Sequence, residues 1–194
     1  MNEVLKIKLK IIAIYKQLIL HKEMSTTEIK KLYIEYLKLC VCLGTNNPIF
    51  IEDFDKYEGV NCYCYALGLS LPKLFIDRYL YASPDYISHS IGFISQSKYT
   101  KSADERISNL YKDLTALNIK FYETDIHSEN KHGGYKIALY NSPYDFHFIR
   151  QNSNGMWSEK QGYSRRFIEM KEPRAVGKSY ELIKTLEIVK PTIK

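Results

Sequence analysis

Apolar residues recur at helical spacing in two stretches at the start of the chain and once near its middle, then alternate in strand fashion towards its end. Residues 3–22 read as an amphipathic helix, with Leu5, Ile12, Tyr15 and Ile19 on one face and lysines on another. The alternation Lys6-Ile7-Lys8-Leu9-Lys10-Ile11 would also suit a strand. A second helix starts after Ser25, with Glu28 three residues on as a capping box. Its stripe is Ile29, Leu32, Tyr33, Tyr36, Leu37 and Cys40, and Gly44 occupies the C′ position that would end it. The two helices form a hairpin, residues 1–46, ahead of the main domain, residues 47–194. A basic amphipathic helix can lie on a membrane, but packing on the neighbouring helix is the preferred role for residues 3–22.

Thr45-Asn46-Asn47-Pro48 breaks the pattern. Residues 49–60 look extended, ending in the turn Glu58-Gly59. Asn61 is then an N-cap for a short helix whose apolar face is Tyr65, Ala66 and Leu69, with Pro72 stopping it or starting the next. Residues 72–101 are irregular, as binding loops and cleft walls often are. Ser102 and Glu105 make a second capping box, opening a helix with the stripe Ile107, Leu110, Tyr111, Leu114 and Leu117, and Asn118 suits its C′ end. Strand patterns cover 119–123, 135–140, 146–151, 156–160, 167–170 and 182–189. Short turns between successive strands predict a mainly antiparallel sheet. The fold class expected is α+β.

Composition narrows the classes. With 45% hydrophobic and 26% charged residues over 194 positions, the chain is globular. The net charge of +6 comes from scattered lysines, a solvated surface rather than a nucleic-acid groove. Lysines also interrupt the N-terminal apolar run, so it does not read as a signal peptide, and no stretch is apolar enough for membrane insertion. This suggests a cytoplasmic protein, or one delivered into a host cell without a classical signal. The 17 tyrosines reflect compositional bias or an aromatic-lined cleft. Four cysteines fall as Cys40/Cys42 and Cys62/Cys64. Residues two apart on a helix point to different faces, so free thiols are expected, with a four-cysteine zinc site as the alternative. No fingerprint for a cofactor is present, and none is expected.

The chemistry concentrates on Cys62. It opens the helix after Asn61, where orphan N–H groups favour a thiolate and can receive an oxyanion. Cys64 lies two residues deeper on another face, as packing. The same small-hydrophobe reading stands beside the nucleophile reading for Cys62. A base is supplied by His147, 85 residues on, in Phe146-His147-Phe148, whose phenylalanines face the other way. If Ser153-Asn154-Gly155 is a three-residue loop with glycine left-handed, then 151 pairs with 157 and 149 with 159. Glu159 and Trp157 then share the face of His147, and Glu159 could orient the imidazole. A two-residue turn would bring Ser158 and Lys160 to that face instead. His21 ends a helix, and His89, His127 and His132 fall in polar loops.

Asn61-Cys62-Tyr63-x-Tyr65-Ala66-Leu67, the strand Gly134 to Leu139, and Asp145 to Ser158 together resemble a poorly characterised bacterial and phage group that is similar to papain-like cysteine peptidases and amidases. The resemblance covers roughly residues 57–165. It implies a papain-like fold, Cys62 as nucleophile and His147 as base. The group has His where this chain has Glu159. The oxyanion glutamine of papain-like enzymes has no counterpart before Cys62, and Tyr57 is the substitute considered there, with Asn61 and Trp157 at the cleft. The expected function is a cysteine hydrolase acting on a peptide, isopeptide or side-chain amide of a peptide or protein substrate. A deamidase or transglutaminase would use the same residues. A non-catalytic effector on the same scaffold is the alternative.

Overall fold

The computed structural model describes residues 2–20, 24–43, 48–50, 53–70, 89–174 and 177–191. Helices α1 (Glu3–Leu20) and α2 (Thr26–Leu43) form the expected antiparallel hairpin. Ser25 and Glu28 close the capping box: the Ser25 N–H and hydroxyl donate to the Glu28 carboxylate at 2.9 and 2.7 Å. His21 and Gly44 lie outside the described residues. The packed face of α1 differs from the expected one. Ile14 and Leu18 are buried, with Ile11 and Tyr15 against them, whereas Leu5 and Ile12 are 48% and 49% exposed. A helix turns about 100° per residue, so the face set by Ile11 and Leu18 leaves Ile12 outside it.

Residues 53–60 are not extended. They coil into α3 (Asp53–Lys56) and a turn at Gly59, whose φ of 80° suits glycine. Helix α4 (Cys62–Leu67) follows, then a run of turns over 91–96, then α5 (Ala103–Ala116). Helix α5 is capped by Ser102 and closed by Asn118 at φ 57°. It buries Leu110 and Leu114, but also Arg106, Asn109 and Asp113, while Ile107 and Tyr111 are only partly covered.

The six strands are β1 (Lys120–Glu123), β2 (Tyr135–Asn141), β3 (Phe146–Gln151), β4 (Trp157–Lys160), β5 (Phe167–Met170) and β6 (Glu181–Val189). They form one antiparallel sheet in the order β1-β6-β2-β3-β4-β5. The fold is α+β. Alternation divides the sheet residues between two apolar clusters. Tyr135, Ile137, Leu139, Phe148, Leu186 and Ile188 join the helices in one, which runs without a break from Ile14 and Leu18 through Tyr33 and Tyr63. The hairpin over 1–46 and the rest of the chain therefore share a core. Ala138, Tyr140, Ile149, Trp157 and Met170 form the second cluster on the other face. Among the described residues no helix is long and apolar enough to cross a membrane.

Candidate active site

Helix α4 is bracketed by its sequence. Asn61 is extended, and its Oδ1 accepts from the Cys64 N–H at 3.0 Å. Gly68, at φ 65°, ends the helix by donating to the Tyr65 carbonyl at 3.1 Å. The stop is thus Gly68 rather than Pro72, which lies outside the described residues. The expected apolar face proves to be the whole circumference, for every residue from Cys62 to Leu67 is buried. Each neighbour fastens it. The Tyr63 hydroxyl donates to Asp113 of α5 at 2.7 Å. The Tyr65 hydroxyl bonds Ser158 of β4 at 2.8 Å, and Arg150 of β3 donates to the Tyr65 carbonyl at 3.0 Å. The Tyr135 hydroxyl of β2 donates to the Ala66 carbonyl at 3.0 Å. The sulfur of Cys62 is therefore carried on a helix held from both ends and from three sides.

The β3–β4 hairpin supplies the partners. Gly155 is left-handed at φ 81°, and the Asn152 N–H donates to the Met156 carbonyl at 2.7 Å, closing a three-residue loop. Gln151 pairs with Trp157 and Ile149 with Glu159, which puts Glu159 on the face of His147. His147 Nε2 meets Glu159 Oε2 at 2.6 Å, with the carboxylate buried completely. Nε2 is committed to Glu159, and Cys62 lies close enough to bear on the charge of the imidazole. Burial alone would push His147 down, but the bonds to Cys62 and Glu159 outweigh it and raise the imidazole to about 10. Cys62 is 5% and His147 8% exposed. Burial pushes the neighbouring Cys64 thiol well up, and the adjacent Cys62 adds to this.

The other expected site residues are placed as follows. Asn61 spends its Nδ2 on the His89 carbonyl at 2.8 Å, so it tethers and caps rather than facing an oxyanion. Tyr57 packs edge-on against Tyr65 at 5.3 Å, and its hydroxyl reaches Gly68, at the end of α4 remote from Cys62. It is a core residue and no stand-in for an oxyanion donor. Trp157 lies on the His147 face as expected but packs in the second cluster, 3% exposed. His89 is not in a solvated loop. It is fully buried, its Nε2 bonded to the Tyr33 hydroxyl of α2, and burial lowers it to about 3. His127 and His132 are exposed, and the His132 ring stacks on Tyr122.

Two residues near the sulfur were not among those expected at the site. The Tyr180 ring lies 6.1 Å from His147, edge to face, and its hydroxyl donates to Asp145 at 3.2 Å. Lys160 of β4 donates to the carbonyls of Gly162 and Ser164 at 2.8 and 2.6 Å. Burial lowers Lys160 to about 8. Tyr180 carried no spacing signal, lying outside any strand, and Lys160 entered only through the two-residue turn that the structure does not adopt. Among the described residues no three His, Cys, Asp or Glu side chains gather in a way that would hold a metal. All four cysteines are free thiols. A thiol, an imidazole and a buried carboxylate brought together are the groups that nucleophilic acyl chemistry uses. No family model, no curated protein and no solved structure matches this chain.

Proposed function

We propose that this protein is a cysteine hydrolase on a papain-like scaffold, cleaving a peptide, isopeptide or side-chain amide bond. The single observation that carries the reading is His147 bonded at 2.6 Å to the buried Glu159 carboxylate, with Cys62 at the start of α4 close enough to help raise the imidazole. A cation beside the sulfur is what a nucleophilic thiolate needs. The thiolate attacks the carbonyl carbon, forming a C–S bond and an oxyanion. The Cys62 N–H, in the first turn of α4, is the donor available to that oxygen. His147 gives its proton to the departing nitrogen as the C–N bond breaks, leaving a thioester. Water then attacks the thioester, His147 takes a proton from it, and the carboxylic acid leaves as the thiolate is restored. Glu159 holds the imidazole in place and balances its charge. If the acceptor in the second step is an amine, the same residues perform transamidation, and if the substrate is a glutamine side chain, deamidation.

The low exposure of Cys62 favours a second reading, a non-catalytic effector that keeps the scaffold and binds a protein partner. Iodoacetamide treatment of the native chain at neutral pH, with the adduct mapped by mass spectrometry, separates the two. The enzyme reading expects rapid labelling at Cys62, none at Cys64, and loss of both labelling and amidase activity in Cys62→Ala. Labelling at Cys64, or a native Cys62 that reacts no faster than Cys42, refutes it.

A further inference from the structure

Helix α1 carries two apolar stripes, and among the described residues only one is packed. Ile7, Ile11, Ile14 and Leu18 face α2, buried or partly so. Leu5, Leu9, Ile12 and Leu20 stand on the opposite side, 48%, 48%, 49% and 70% exposed. At about 100° per residue, Leu5, Leu9 and Ile12 fall within about 60° of one another, and the buried stripe is centred roughly half a turn away. The exposed stripe has basic borders. Lys6 and Lys8 project about 80° to either side of it, and Lys16 falls along it, all exposed. Lys10 lies further round, and Glu3, paired with Lys6 at 3.4 Å, is the only acidic residue of the helix.

From this face we infer that α1 is a docking surface for an anionic lipid bilayer, lying in the interface plane without crossing it. Leucine and isoleucine enter the acyl boundary, while lysines on both borders reach lipid phosphates, and Lys16 does so by extending its stem. Charge decides against a second copy of the chain: pairing two such faces would set lysine against lysine. The opposite face of α1 is already fixed on α2, so the surface is preformed and needs no folding on contact. This role is independent of the Cys62 site and would bring whatever that site does to a membrane surface.

Vesicle co-sedimentation of the full chain tests it, using mixed phosphatidylserine–phosphatidylcholine vesicles against pure phosphatidylcholine. The native chain should pellet with the mixed vesicles, less so as salt rises. Leu9→Glu and Ile12→Glu should each lower the bound fraction about tenfold or more, since each removes a buried aliphatic side chain from the lipid. Their thermal midpoints should match the native chain, because both positions face solvent. Lys6→Ala/Lys8→Ala should weaken binding to mixed vesicles alone. Absence of native binding, or binding that Leu9→Glu leaves unchanged, overturns the inference. So does a concentration-dependent dimer in light scattering that Ile12→Glu abolishes, which would assign the face to a second copy.

Discussion

Replacing Glu159 with glutamine changes one charge and almost no volume, so it isolates what the carboxylate does for His147. The two groups meet at 2.6 Å with Glu159 fully buried. Charges about 4 Å apart attract by about 4 kcal/mol at an effective dielectric near 20. Glutamine keeps a neutral hydrogen bond, which returns part of this, so the imidazolium should lose about 2–3 kcal/mol, or about two pKa units. His147 then falls from about 10 towards 8 or so, still lifted by Cys62. Glu159 Oε1 has no partner among the described residues, so the glutamine NH2 would stand unbonded there, and stability should also drop by about 1–3 kcal/mol. The assay is a proton NMR titration of the histidine Hε1 signals, with His147→Gln for assignment, beside the pH profile of iodoacetamide labelling at Cys62. If His147 titrates at the same pH in both proteins, the carboxylate does not sustain the imidazolium and the triad role of Glu159 is refuted.

Three further outcomes follow from the same structure. The folded pKa of His147, about 10, lies above its ordinary 6.5, so the stability it contributes is complete below pH 6.5 and drains away as pH rises towards 10. Urea unfolding midpoints across that range should fall in the native chain and fall less in His147→Gln; equal slopes would contradict this. His89 has the opposite sign. Held at about 3 by burial, it resists protonation when folded, so its contribution is complete above pH 6.5 and is lost as pH falls towards 3. His89→Gln should flatten the acid limb of a thermal-midpoint profile, and an unchanged limb would show that other groups cause it. Asp113 accepts from the Tyr63 hydroxyl and from the Gly92 and Ser95 N–H groups at 2.7, 2.7 and 2.6 Å. Asp113→Ala should cost about 3 kcal/mol or more, lowering the thermal midpoint by about 6–12 °C; a shift within error would mean these bonds are replaced by water.

Much of the site lay open in the chain because its cues are local. Asn61 and Gly68 bracket α4 by capping chemistry that needs no distant partner. The Ser153-Asn154-Gly155 loop sets the β3–β4 register, and the register puts Glu159 on the face of His147. Where two readings were locally equivalent, the sequence could not choose. The face of α1 that meets α2 is one of two apolar stripes on the same helix, and only the position of α2 selects Ile14 and Leu18 over Leu5 and Ile12. The burial of α4 on all sides, Tyr57 at the wrong end of it, and His89 inside rather than outside depend on residues far away in the chain. Spacing along the backbone records which side chains share an element. Distance between elements is settled by packing, and it is packing that brings Tyr180 to His147 and Lys160 near the two cysteines.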